Sequence, residues 1–243
     1  EDEIALLRDL AERKRIRQAV SSEDAEPVIT LTDGPLDIFY RSTIQGEREQ
    51  QVQRDISGID EDLRRRGVLT AGYIDKPGSA MLSRMLAVFQ CKRQGLPPDK
   101  KTDGLNLSDR FILRDILDQP GERSAIFEAI SRGPKKPANS GAVAFFYLNV
   151  SGAEDEPCLV RVEFPLWVSE SPRLVDALHA VIYREAQVLD SHPYPYLLHR
   201  AHELAVVRRI EADEVEAMLQ SHLDPQFRAR QRQSNKSYLK GLS

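Results

Sequence analysis

The chain has 243 residues, 41% hydrophobic and 30% charged, which suits one large domain or a domain with a helical annex and excludes a disordered or fibrous protein. Its net charge of −4 excludes a generally basic nucleic-acid binder, so any such contact needs a local basic patch. No apolar run approaches the roughly 20 residues of a membrane helix, and Cys91 and Cys158 stand far apart without zinc-ligand spacing, as expected of a reducing, cytoplasmic setting.

Residues 1–20 carry Ile4, Leu7, Leu10, Ala11, Ile16 and Ala19 at helical spacing. A polar loop follows, then VITLTDGPLDIFY, whose β-branched and aromatic residues predict a buried strand interrupted by Asp33-Gly34 and Pro35. Residues 45–66 place Val52, Ile56, Ile59 and Leu63 on one stripe of a charged amphipathic helix. A second strand is expected from about Gly67 to Ile74. A helix over SAMLSRMLAVFQCKR begins after Pro77-Gly78 and ends near Gly95.

Ser108 is a suitable N-cap for a short helix, DRFILRDIL. AVAFFYLNV and CLVRVEFPLWV, joined by the acidic turn SGAEDEP, predict an antiparallel hairpin. SPRLVDALHAVIYREAQVL reads as a helix that Ser169 or Ser171 could cap. Beyond the proline-stiffened SHPYPY, LLHRAHELAVVRRIEADEVEAMLQSHL holds one long helix or two shorter ones. Residues 225–243 form a basic tail. This order of elements predicts an α/β fold, a mixed sheet covered by helices.

Asp33 ends a buried strand, where a carboxylate has a rigid mount and an open side; hard oxygen ligands of this kind suit Mg²⁺ or Mn²⁺. Asp-Gly-Pro is equally ordinary turn chemistry. Asp75 also follows a strand. Glu3, Asp9 and Glu12 lie on the first helix, where a carboxylate could pair with Asp33 or simply face solvent. Asp109, in the first turn of a helix, favours the helix dipole and reads as structural. His202 adjoins the apolar face formed by Leu197, Leu198, Ala201, Leu204 and Ala205, with Tyr194 eight residues before it between Pro193 and Pro195. An imidazole there could position or protonate a phosphate, ligate a metal, or be an ordinary helix histidine; His199 competes with it.

Arg64, Arg65 and Arg66, then Lys135 and Lys136, then Arg228, Arg230, Arg232, Lys236 and Lys240 form basic runs, the last interleaved with Phe227 and Tyr238. Such spacing suits a single nucleic-acid strand, and also suits a solvated face. Arg64, Lys76, Arg200, Arg228, Arg230 and Lys236 are the nucleic-acid-binding candidates. No Walker, Rossmann or GxSxG motif is present.

The ordered set TLTDGPLDIFY, LTAGYIDKPGSAMLSRML, LSDRFILRDIL, AFFYLNV with LVRVEFPLWV, and HPYPYLLHRAHELAVV resembles the NurA nuclease family across most of the chain. The resemblance implies an RNase H-like mixed sheet flanked by helices, with a C-terminal helical segment, as a single domain over 1–243. It implies a nuclease using two Mn²⁺ or Mg²⁺ ions that cuts single-stranded DNA and resects duplex ends from 5′ to 3′. It further implies a homodimer working with a HerA-type hexameric ATP-driven translocase. Carried over by residue, Asp33 matches the family's strand acid and Tyr194 and His202 its late Tyr and His. Glu3, or alternatively Glu12, matches a helix glutamate. The expected metal set is therefore Asp33, Glu3 and His202. The family also has an earlier strand with a metal-binding Asp in an Asp-Gly-Ser context. No such segment is in this sequence, and the expectation is that it lies upstream of Glu1. A catalytically inactive DNA-end-binding adaptor and an enzyme acting on RNA are the alternatives.

Overall fold

The strand segments assemble into one five-stranded sheet, ordered β1-β2-β5-β4-β3, in the computed structural model of the chain. The structure describes residues 2–20, 28–36, 47–95, 107–129, 142–153, 155–189, 192–206 and 209–222. The strands are β1 (Ile29–Asp33), β2 (Leu69–Ile74), β3 (Phe127–Ala129), β4 (Val143–Asn149) and β5 (Leu159–Pro165). The helices are α1 (Asp2–Ala19), α2 (Glu47–Arg65), α3 (Met81–Arg93), α4 (Asp109–Leu113), α5 (Pro172–Ala186), α6 (Tyr196–Ala205) and α7 (Arg209–His222). The chain divides into two compact units, 1–200 and 201–243.

β1 and β2 run parallel, with Asp33 paired to Tyr73; β2–β5, β5–β4 and β4–β3 are antiparallel. A parallel pair requires a crossover, and α2 lies within the connection from β1 to β2. The expected mixed sheet with flanking helices and C-terminal helices is what the chain forms.

Strand alternation divides the sheet's side chains between two faces. On one, Leu69, Ala71, Tyr73, Phe146, Val160, Val162 and Phe164 pack against Val175, Leu178 and Ile182 of α5, with Leu198 of α6 and Tyr194 at its edge. Ile29 and Leu31 join that face, so Asp33, two residues further, belongs to it as well. On the other face Phe145, Tyr147 and Leu159 pack against Leu113 and Leu117. A third cluster binds α1 to α2 through Leu6, Leu10, Val52, Ile59 and Leu63.

Several elements differ from the sequence expectation. Leu166–Val168, read as the end of a strand, lies instead in a 3₁₀ helix, Leu166–Glu170, after Pro165. Of the one long helix or two shorter ones expected after SHPYPY, the chain forms two, α6 and α7. Ser108 and Ser171 occupy the N-cap positions of α4 and α5, but neither side chain makes a capping hydrogen bond. Pro172, already fixed at a helical φ, begins α5 instead. Asp109 caps a helix other than its own. Fully buried, it accepts from the backbone N–H groups of Met81, Leu82 and Ser83 in the first turn of α3, and from the hydroxyls of Ser79 and Tyr147. That full set of partners accords with its structural reading.

Candidate active site

The site is built at the carboxyl end of the parallel pair β1–β2, the edge where open α/β sheets present their ligand-binding groups. Asp33 is the last residue of β1 and is exposed. Gly34 then takes φ 117°, a region open to glycine and strained for other residues, while its N–H is held by the Tyr73 carbonyl at 2.9 Å. The chain therefore breaks away from the strand at once and leaves the Asp33 carboxylate at a fixed corner.

Tyr194, half-buried between Pro193 and Pro195, reaches this corner and hydrogen-bonds Asp33. Burial, the Asp33 charge, that hydrogen bond and the Asp75 charge together push its phenol up to about 12. Tyr194 therefore remains a donor at neutral pH. Its ring meets Tyr73 edge-on, with centroids 5.5 Å apart. The Tyr73 phenol is raised too, first by burial and then by the charge of Asp75, with Cys158, Tyr194 and Asp33 adding to it. Asp33 and Asp75, from the ends of neighbouring strands, thus act on the same pair of tyrosines.

The Tyr73 hydroxyl is buried and has no hydrogen-bond partner among the described residues. An orphaned hydroxyl in the field of two carboxylates fits a polar or cationic occupant better than an apolar one. Two carboxylates with neighbouring phenols are a hard oxygen set. Mg²⁺ in particular is commonly held by one or two carboxylates, with water and substrate phosphate completing its shell. Beside Tyr194 opens a cleft of about 360 Å³ lined by Leu189, His192, Tyr194 and His199.

The corner is also gripped from behind. After Gly34, Leu36 passes over Gly72 of β2. Its N–H donates to Glu163 Oε2 at 2.9 Å, and its carbonyl accepts from Arg13 Nη2 at 2.7 Å. Arg13 is in turn held by Asp9 and by Asp60, the latter at 2.6 Å.

Residues 1–207 match the NurA domain, well over half of the chain. The chain belongs to the NurA family. No curated protein and no solved structure matches it. NurA proteins are nucleases and in general depend on metal ions.

Of the residues expected to serve that chemistry, the NurA fold brings Asp33 and Tyr194 together and adds Asp75, whose position at a strand end already places it like a site residue in the sequence. Asp9 is buried and engaged by Arg13, so it is not available as a ligand. Glu12 is exposed and lies 3.6 Å from Arg8. Glu3 lies in α1, but its side chain is outside the described residues. His202 is exposed on α6 and belongs to the second unit, 201–243. Among the described residues no three His, Cys, Asp or Glu side chains are grouped to hold a metal ion; the Glu3 side chain is not among those residues.

Among the basic candidates, Arg64 is exposed and pairs with Glu61, and Lys76 and Arg200 are exposed. Lys135, Lys136, Arg228, Arg230 and Lys236 lie outside the described residues. No described helix is long and apolar enough to cross a membrane. Sequence reading missed Tyr73 and the pair Arg161–Glu163. Two charges at i and i+2 in the otherwise apolar CLVRVEFPLWV were the available signal, because they fall on one face of a strand.

Proposed function

We propose that this chain is a metal-dependent DNA nuclease, hydrolysing phosphodiester bonds at the carboxyl end of β1 and β2. One observation carries the reading: Asp33, at a corner fixed by Gly34, is hydrogen-bonded by Tyr194 beside a second carboxylate, Asp75. Asp33 and Asp75 would hold Mn²⁺ or Mg²⁺, which when bound supplies activation of water and stabilisation of charge at phosphorus. Tyr194 keeps its proton and fixes the orientation of the Asp33 carboxylate. The apolar packing of Tyr73 beneath it limits water on that side and strengthens each charge interaction.

His202 and Glu3 enter the proposal through the family match alone. His202 would position the scissile phosphate or carry a proton, and Glu3 would add a carboxylate. On the same basis the enzyme acts in the cytoplasm, as a homodimer with a HerA-type hexameric translocase. It would cut single strands internally and degrade duplex ends from 5′ to 3′.

Mn²⁺-dependent digestion of single-stranded DNA by the wild-type protein and by Asp33→Ala tests the reading. Loss of cleavage is expected, and undiminished cleavage would remove it. The alternative is an inactive, DNA-end-binding adaptor. Absence of cleavage by the wild type, together with tight binding of DNA ends, would favour it.

A further inference from the structure

Arg161 and Glu163 are neighbours on β5, both buried, in an ion pair of 2.5 Å between Arg161 Nη2 and Glu163 Oε1. The guanidinium lies 3.9 Å over the ring of Phe145, and its Nε has no acceptor among the described residues. A buried pair with an unmet N–H is a poor source of stability, since desolvation of both charges offsets their attraction. Its placement suggests a different use. The second carboxylate oxygen, Oε2, accepts the N–H of Leu36, three residues beyond Asp33 and 127 residues away in sequence.

The geometry at Gly72 shows how close this approach is. Gly72 is the β2 partner of Glu163. A Cβ on Gly72 would lie 2.5 Å from the Gly34 carbonyl oxygen and 2.9 Å from the Leu36 nitrogen. The turn after Asp33 therefore rests directly on the bare backbone of β2 and is tied down by Glu163, on the face opposite to Asp33 and Tyr194. Any movement of Leu36 is transmitted through Pro35 and Gly34 to the strand end. Rigid mounting of this kind is what a ligand carboxylate needs, because displacements near 1 Å at a reacting centre can cost about 100-fold in rate.

We propose that Glu163, charged and oriented by Arg161, is a positioning residue that fixes the Asp33 carboxylate through the sheet by anchoring the Leu36 amide. The proposal rests on the reading of Asp33 as a ligand of the catalytic metal. Glu163 itself touches neither metal nor substrate: one oxygen is taken by Arg161 and the other by Leu36. A glutamine can serve only one of these. If its carbonyl oxygen accepts from Leu36, its amide faces the guanidinium; if it turns round, two N–H donors face each other.

Glu163→Gln is compared with the double variant Arg161→Met, Glu163→Leu, which removes both charges while keeping the strand packed. Asp33→Ala is run beside them. Melting curves establish that each variant is folded, and kcat, KM for single-stranded DNA and the Mn²⁺ concentration at half-maximal rate are measured. The expected result is a fall in kcat of roughly 10- to 100-fold, with KM within about twofold. The half-maximal Mn²⁺ concentration should rise, and added Mn²⁺ should restore part of the rate. A role in stability alone would lower the melting temperature and leave the metal dependence unchanged. If the folded Glu163 variants keep both kcat and the Mn²⁺ midpoint while Asp33→Ala is inactive, the positioning role is overturned and the nuclease reading stands. If Asp33→Ala cleaves like the wild type, the nuclease reading falls, and the positioning role falls with it.

Discussion

The phenol of Tyr194 is hydrogen-bonded to the carboxylate of Asp33, while its ring meets Tyr73 edge-on at 5.5 Å. The two residues come from segments far apart in the chain, one ending β1 and the other lying between Pro193 and Pro195. Their contact makes Tyr194 both the donor that orients Asp33 and a cover over Tyr73.

Tyr194→Phe should keep the ring contact with Tyr73 and lose the donor. Cleavage at neutral pH should fall by about 10-fold, the order expected for one hydrogen bond to a charged group. The pH dependence of stability carries a definite sign. The Tyr194 phenol is raised in the folded protein to about 12, from its ordinary value of 10.0. Its contribution is therefore complete below pH about 10 and is lost as pH rises through about 12. Melting temperatures across that window should fall more steeply for the wild type than for Tyr194→Phe. Parallel curves would contradict the contact.

Asp75→Asn removes the second carboxylate with little change in volume at a half-buried strand end. Mn²⁺-activated cleavage should fall by about 100-fold, corresponding to about 2.7 kcal/mol of lost transition-state stabilisation. Stability should change by less than about 0.5 kcal/mol. Because Asp75 is among the groups holding the Tyr194 phenol up, a tyrosine titration should show that phenol ionising at lower pH. Unchanged cleavage would exclude Asp75 from the site.

Asp109→Ala should act in the opposite manner. The change leaves the N–H groups of Met81, Leu82 and Ser83 and the Tyr147 hydroxyl without their acceptor. A loss of about 3 kcal/mol or more in unfolding free energy is expected, from denaturant titration. Cleavage per folded molecule at low temperature should be retained. A stable but inactive variant would make Asp109 a site residue.

The sequence carried those features that are local or periodic. Asp33-Gly34-Pro35 marks a break in a buried strand, and Gly34 does adopt the positive φ such a break requires. The parallel order of β1 and β2 follows from a helical segment between two strands. Asp9 was also legible in principle, because Arg13 stands four residues on, where a helix brings side chains together. The Glu163 anchor was not, since its partner is a backbone N–H, which leaves no mark in residue type. β3 has three residues and owes its place to Phe127 stacking on Phe145, a tertiary contact rather than a local preference. The helix-end serines failed as side-chain caps because Pro172 begins α5 and Asp109 caps α3 from α4, arrangements that depend on packing.

Calorimetric titration of the full-length protein with Mn²⁺, for the wild type and for Asp33→Ala, addresses the central claim most directly: the corner that ends β1 is where the cation is held. Saturable binding by the wild type that is lost or greatly weakened in the folded variant is the predicted result. Equal binding by the two proteins, or none by either, would contradict it.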